Sequence, residues 1–365
     1  MKRLLCIVNS MDTGGAETFL MKIYRQIDRT KYQMDFCTMS PNKGFYDDEI
    51  IGMGGKLYNV PLKTKNPIGF IKGIKQIVKD NKYEYVLRIG DNAITVFDLL
   101  VAKWGGARKL VMRSTNASSS SRVELILNKC LKFLSICIPN VKIAPSTEAA
   151  IHTFGKRQVE NGKVHYLNNG IAVDKFEFAE EKRTRLREEL DLKDKFVVGH
   201  VGRFSQQKNH KFLIDVFEKI ALKNNNAHLV CIGIGEMQEE IWNIVKAKNL
   251  DDKVTFTGVR PDVSDLLSAF DVFLFPSFFE GMPNVIIEGQ AAGLHCIISD
   301  SITKEANITG LVEYLPLDKP AAEWAESVLK YADGYERISY KDTYVKCGYD
   351  IESVAKDFAK LVFGE

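Results

Sequence analysis

The chain alternates short apolar runs with amphipathic stretches, and it does so twice. In the first half, runs that read as strands are Leu4–Val8, Met34–Thr38, the Gly54-Gly55-Lys56-Leu57-Tyr58 turn and strand, Tyr85–Ile89, Lys109–Met112 and the end of a strand at Lys142–Ser146. Between them, apolar residues at helical spacing predict helices over Ala16–Asp28, Pro67–Asn81, Ala93–Trp104 and Val123–Ile138, and Ser146 caps another over Thr147–Thr153. The second half repeats the pattern with strands Phe196–Val201, His228–Ile232, Val254–Thr257, Val272–Phe275 and Cys296–Ser299. Its helices are Lys211–Leu222, Met237–Lys248, a short one ending near Phe270, one with Pro283 in its first turn, Ala321–Ala332 and Ile351–Val362. Fully apolar strands joined by helices belong to parallel sheets covered on both faces. The expectation is therefore an α/β protein with two Rossmann-like parallel-sheet domains facing a cleft. The boundary falls near Asn168-Asn169-Gly170, giving domains 1–170 and 171–345, and the charged stretch Glu177–Asp194 reads as a linker plus an exposed helix.

At 365 residues the chain is long enough for two such domains. Lys2 and Arg3 before Leu4–Val8 imitate a signal peptide, but the apolar part is short and no small-residue cleavage site follows. No apolar run reaches the length of a bilayer span. The seven cysteines are scattered, without a C-x-x-C pair or a His/Cys cluster, which argues for a reducing cytoplasm and against a zinc site. Residues 1–170 carry 26 Lys and Arg against 14 Asp and Glu, whereas 171–365 carry 24 against 33. A basic first half suits an anionic partner, be it membrane surface, nucleic acid or a phosphate-bearing substrate, and it equally suits a solvated face. The predicted helix Val123–Ile138 bears Arg122, Lys129 and Lys132 beside an apolar body, as both interfacial and ordinary surface helices do.

Ligands of parallel sheets bind outside the carboxyl ends of strands. Gly14-Gly15 follow the first strand and open a helix, so backbone can come close to a phosphate or sugar there. Gly202-Arg203-Phe204-Ser205-Gln206-Gln207-Lys208-Asn209 closes the strand at Val201, and Gly233–Gly235 closes the next. The strand Val272–Phe275 runs into Pro276-Ser277, the loop Glu280-Gly281-Met282, and a helix containing Glu288. A carboxylate flanked by Ile286, Ile287 and Ala291 is costly unless paired or hydrogen-bonded. It also accepts hydroxyl hydrogen bonds, and a ribose offers two. The Glu280–Glu288 spacing taken alone leaves two readings equally open, a pair that holds sugar and ribose, or a surface-loop Glu280 with a paired core Glu288.

Taken in order, the motifs MDTGGAETF, VGRFSQQKNHKFLI, GIGE, VTFTGVRPDV, FPSFFEGMPNVIIEGQAAG and ISDSITKEA run almost end to end. In them the chain resembles the GT-B-fold retaining glycosyltransferases of family four, in the bacterial capsule and exopolysaccharide branch. The resemblance implies transfer of a hexosyl or N-acetylhexosaminyl group from a nucleotide sugar, usually a UDP-sugar, to a glycan acceptor. It implies no metal and no cofactor beyond the donor substrate. Arg203 and Lys208 would hold the diphosphate, Glu280 the transferred sugar and Glu288 the ribose. Backbone groups of Gly281, Met282 and Asn284 would meet sugar or phosphate, and Val259 and Arg260 the base. Gly15 would approach the diphosphate, Gly233 would lie at the donor site, and Gly14, Arg113 and Asn116 are candidates on the acceptor side. The terminal helix, about 346–365, would pack back on the first domain.

One departure stands out. That branch usually has His-Ser-His-Asn where this chain has Arg113-Ser114-Thr115-Asn116. Arginine does not give up its proton and cannot serve as a base there. In retaining transfer on one face of the sugar the donor phosphate takes the acceptor proton, so turnover survives the change; Arg113 is then free to bind an anionic group on the acceptor or the donor. Of the six scattered histidines only His210 lies near the phosphate motif, where a packing role is expected. The reading is a cytoplasmic enzyme at the inner face of the membrane, in peripheral contact through its basic first domain, acting on a lipid-linked glycan and not on nucleic acid. A non-catalytic nucleotide-sugar-binding subunit is the alternative. A GT-B-fold UDP-sugar epimerase is a second, weaker alternative, since that class needs a histidine and carboxylates across the cleft that this sequence does not place, and a phosphorylase needs a pyridoxal lysine for which the sequence carries no signal.

Overall fold

A computed structural model of the chain describes every residue except 13, 91–94, 116–131, 281 and 365. It divides into two compact units, Met1–Ile171 with Gly348–Glu365, and Ala172–Cys347.

In the first unit β1 (Lys2–Ile7), β2 (Tyr32–Thr38), β3 (Leu57–Asn59), β4 (Tyr85–Ile89), β5 (Lys109–Arg113), β6 (Val141–Ala144) and β7 (His165–Tyr166) form one sheet. Its order is β3-β2-β1-β4-β5-β6-β7, and every pairing is parallel. The interior strand β1 is buried on both faces from Leu4 to Ile7, which is why it reads as an unbroken apolar run. The helix Pro67–Asp80 starts where the Asn66 side chain accepts the Gly69 N–H at 2.8 Å, and it buries Phe70, Ile74 and Val78. Ser146 caps Thr147–Phe154 through the Ala149 N–H at 3.2 Å. The terminal helix Ile351–Phe363 belongs to this unit: Phe358 meets Phe19 edge-on at 6.2 Å, and Phe363 stacks on Tyr32 at 4.3 Å. Of the predicted helices over 93–104 and 123–138, the described parts are Val96–Gly105 and 132–137, and both are helical. Arg122 and Lys129 lie outside the described residues.

In the second unit β8 (Phe196–Val201), β9 (Ala227–Ile232), β10 (Val254–Gly258), β11 (Val272–Phe275), β12 (Cys296–Ser299) and β13 (Val312–Leu315) make a parallel sheet in the order β10-β9-β8-β11-β12-β13. Leu213, Phe217, Leu229, Leu274 and Trp324 are among its core residues. Gly199 in β8 is required by packing, since a Cβ there would lie 2.0 Å from the Phe270 ring. Three expectations are corrected. Pro283 is the extended N-cap of the helix Asn284–Ala291 and not part of its first turn, its carbonyl accepting the Ile286 N–H at 3.0 Å. The edge strand β13 was not foreseen, because Val-Glu-Tyr-Leu is only half-buried and carries a charge. The helix Glu180–Glu189 is not simply exposed: Arg183 and Arg187 reach Asp271 at 2.5 and 2.6 Å, and Arg187 is buried.

Candidate functional site

The carboxyl ends of β8 and β11 carry two loops that are fastened together. After Val201 the chain passes Gly202 and Arg203, forms a short turn at Gln206–Lys208, and enters the helix His210–Lys223 through Asn209 in the left-handed conformation. After Phe275 it passes Pro276 to Glu280 before the helix Asn284–Ala291. The Phe278 N–H donates to the Gln207 carbonyl at 2.9 Å, and Gln207 Nε2 donates to the Phe279 carbonyl at 2.9 Å. Asn209 Nδ2 donates to the Pro276 carbonyl at 3.1 Å. Lys208 Nζ lies 2.6 Å from Glu280 Oε1, and 4.6 Å from the centre of the Phe275 ring. Arg203, by contrast, is exposed and meets Glu236 at 3.1 Å. Its own N–H, and then Arg203, hold the Glu236 carboxyl below the usual carboxylate range. Together Arg203, Gln206, Lys208, Glu236, Phe278 and Phe279 line a pocket of about 670 Å³.

Neighbouring loops fix this arrangement from below and beside. Gly233 has φ +135°, its N–H bonds the Gly258 carbonyl at 2.9 Å, and a Cβ there would lie 2.2 Å from the Gly202 carbonyl oxygen. Gly235 is equally constrained, a Cβ falling 2.3 Å from the Phe204 carbonyl oxygen. His210 is buried, stacks on Phe204 at 4.2 Å and meets His200 at 4.7 Å. His200 Nδ1 pairs with the Leu274 carbonyl at 2.9 Å, so that nitrogen carries the proton. Burial, and then the Lys208 charge, lower the His210 pKa to about 4; burial lowers that of His200 well below the ordinary value. Both rings are neutral at neutral pH.

The structure brings Arg203, Lys208, Gly233 and Glu280 into this one region. Met282 is buried, Asn284 opens the helix, and Glu288 is half-buried within that helix. Gly281 lies outside the described residues. Val259 is 70% exposed after β10. The Arg260 side chain is engaged by Asp262 at 2.7 Å and Glu189 at 2.8 Å. The reading of the sequence assigned no role to Gln207, Asn209, Glu236, Phe278 or Phe279. Glu236, Gln207 and Asn209 sat inside recognised motifs, but contacts across some 70 residues have no periodic signature.

On the first unit, Gly14 is the extended N-cap and Gly15 the first residue of the helix Gly15–Gln26. A Cβ on Gly15 would meet open space, whereas one on Gly14 would strike the Glu17 carboxylate. That carboxyl is half-buried, and burial raises its pKa. Arg113 is corrected from an open cation to a buried one. Its guanidinium lies 3.7 Å over the Phe19 ring, and Nη2 donates to Asn169 Oδ1 at 2.6 Å. Nε is buried and has no partner among the described residues, and burial lowers the pKa to about 9, so the group stays charged at neutral pH. Asn116 lies outside the described residues. Arg88, read only as a strand residue, is buried in a network with Asp98 at 2.8 Å and Asn9 at 3.0 Å, while Lys63 also pairs with Asp98.

Among the described residues no three His, Cys, Asp or Glu side chains gather as a metal site. Residues 195–333 match the family model described as glycosyl transferases group 1. The protein EpsF of Bacillus subtilis (strain 168), named as a glycosyltransferase, is 33% identical over 96% of this chain and 94% of its own. A relative from Campylobacter jejuni subsp. jejuni serotype O:2 is 24% identical over the whole of both chains. It is named as an N-acetylgalactosamine-N,N'-diacetylbacillosaminyl-diphospho-undecaprenol 4-alpha-N-acetylgalactosaminyltransferase. Among solved structures, Anabaena Alr3699/HepE in complex with UDP and glucose superposes with a TM-score of 0.76 over the whole of both chains, at 17% identity. The chain belongs to the group 1 glycosyltransferases and has their two-domain GT-B fold.

Proposed function

We propose that this glycosyltransferase moves a hexosyl or N-acetylhexosaminyl group, with retention of configuration, from a UDP-sugar to a lipid-linked glycan in surface polysaccharide synthesis. The observation that carries the reading is the fastening of the Arg203–Lys208 loop to the Phe278–Glu280 loop at the carboxyl ends of β8 and β11. Two cations, Arg203 and Lys208, line one pocket, and the nearly buried Glu280 carboxylate lies against Lys208, which suits a diphosphate joined to a sugar.

In this account Arg203 and Lys208 hold the diphosphate and neutralise the charge that builds as the C1–oxygen bond breaks. Glu280 contacts the transferred sugar and Glu288 the ribose hydroxyls. Backbone groups at Gly281, Met282 and Asn284 meet sugar or phosphate. The turn at Val259 and Arg260 meets the base, and Gly233 shapes the loop beneath it. The acceptor oxygen forms its bond to C1 on the face the diphosphate leaves, and the departing phosphate takes the acceptor proton. No metal enters this step. Gly14, Gly15, Arg113 and Asn116 serve the acceptor side or the diphosphate, and Arg113 acts through the Asn169 segment it holds. A diphospho-lipid acceptor is supported by the name of the Campylobacter relative, and a UDP-sugar by the UDP and glucose bound to HepE. No helix among the described residues is long and apolar enough to cross a membrane. We place the enzyme in the cytoplasm, touching the anionic inner face of the membrane through exposed basic residues such as Lys72, Lys75 and Lys79.

The test is transfer of labelled sugar from a panel of UDP-sugars to lipid-linked glycans extracted from membranes. One donor should label the lipid fraction without added metal, with an α product from an α donor. Donor binding without transfer to any extract would contradict the reading and favour a non-catalytic subunit. Salt-sensitive co-sedimentation with anionic vesicles tests the membrane contact, and its absence would refute that part.

A further inference from the structure

Lys208 and Glu280 are each other's counter-charge, with Nζ 2.6 Å from Oε1. Their side chains are 17% and 9% exposed, so neither is compensated by bulk water. Parting them is costly unless each finds a new partner. The loops that carry them do not depend on the pair. Three other hydrogen bonds join those loops, from the Phe278 N–H to Gln207, from Gln207 to Phe279 and from Asn209 to Pro276. The ion pair can therefore exchange partners while the backbone stays in place.

Two replacements must then arrive together. A phosphate oxygen suits the Lys208 ammonium. A carboxylate left behind needs hydrogen-bond donors, and a phosphate has none to offer it. The hydroxyl groups of a sugar attached to that phosphate are such donors. We propose that the Lys208–Glu280 pair is an exchangeable internal counter-ion that makes diphosphate binding conditional on an attached sugar with hydroxyl donors. An intact nucleotide sugar satisfies both side chains. A nucleoside diphosphate takes Lys208 but strands Glu280, and competition from the re-forming pair weakens its binding relative to the nucleotide sugar. Glu280 thereby discriminates donor from spent product and promotes product release. This inference rests on the donor-site reading above.

The test is calorimetric titration of UDP and of a UDP-sugar panel, UDP-glucose and UDP-N-acetylglucosamine included, into the full-length protein and into Glu280→Gln and Lys208→Ala. Glu280→Gln should bind UDP about tenfold more tightly than the unaltered protein, because Lys208 is released. Its preference for UDP-sugar over UDP should fall by a similar factor. If Glu280→Gln binds UDP no more tightly while Lys208→Ala binds it more weakly, the exchange is refuted and the donor site stands. If the unaltered protein and both variants all fail to bind UDP, the donor-site reading fails and the inference with it. Should Glu280→Gln not fold, Glu280→Asp, whose shorter reach weakens the pair, should show a smaller tightening of UDP; no tightening would refute the exchange equally.

Discussion

The imidazole of His210 lies flat on Phe204, with ring centres 4.2 Å apart and planes 17° from parallel. Phe204 follows Arg203, and His210 comes two residues after Lys208. The stack thus closes the ends of the loop that carries both cations. An aromatic pair of this kind is worth about 1 kcal/mol beyond burial, and removing a buried ring leaves a cavity. His210→Ala should weaken UDP binding by about tenfold, whereas His210→Phe, which keeps a ring but no nitrogen, should bind within about twofold of the unaltered protein. Titration calorimetry reads both. Unchanged binding in His210→Ala would show that the stack does not position the loop.

Acid should destabilise the second unit. Burial first, and then a nearby lysine, lower the pKa values of His210 and His228 to about 4, against an ordinary value of 6.5. Below pH 6.5 the unfolded chain binds protons that the folded one refuses. Stability is therefore full above about pH 6.5 and is lost as pH falls from there to about 4, at up to about 3 kcal/mol per histidine. Denaturant melts at pH 7, 6, 5 and 4 should show this decline, and His210→Phe should flatten it. Identical profiles for the two proteins would contradict the assignment.

Gly233 is held at φ +135° with its missing Cβ aimed at the Gly202 carbonyl. Gly233→Ala combines backbone strain with a collision that pushes on the residue before Arg203, and should cost about 1–3 kcal/mol. UDP affinity should fall with it. Gly258→Ala is the control, because that position has φ +71° but open space around its Cβ. It should lose stability through strain with little loss of UDP affinity. Equal losses of affinity in both variants would remove the collision from the explanation.

Asp271 sits between Arg183 and Arg187 and also accepts the Val197 N–H at 2.7 Å. Asp271→Asn leaves two largely buried guanidinium groups without their anion, a loss of about 3 kcal/mol. Urea denaturation should report it. UDP affinity of the folded fraction should stay unchanged, since Asp271 precedes β11 and Glu280 lies beyond its other end. A stability change under about 0.5 kcal/mol would mean water already screens the cluster.

Strands β8, β11 and β12 were legible to the residue, because unbroken apolar runs between loops have few other ways to be buried. β13 was not, since one charged and two half-buried residues at a sheet edge carry no such pattern. Arg183 and Arg187 read as surface charges, yet their partner Asp271 is more than 80 residues away. At the site, the motifs announced Arg203, Lys208 and Glu280, but not the bonds from Gln207 and Asn209 that bring the loops together. The burial of Arg113 was not legible for a physical reason: a cation after a strand looks available, and only packing reveals that the Phe19 ring covers it.

The proposed transfer depends on the loop ending at Lys208 binding the donor diphosphate. Titration of UDP into the unaltered protein and into Lys208→Ala, in buffer with chelator, tests it most directly. Removing a charge-assisted contact should cost about 1.5–3 kcal/mol, or about ten- to a hundredfold in affinity, and the ligand-free variant should melt at a lower temperature because Glu280 loses its counter-charge. Saturable binding that weakens by this amount is the predicted result. Binding that Lys208→Ala leaves untouched, or no binding by either protein, would contradict the account.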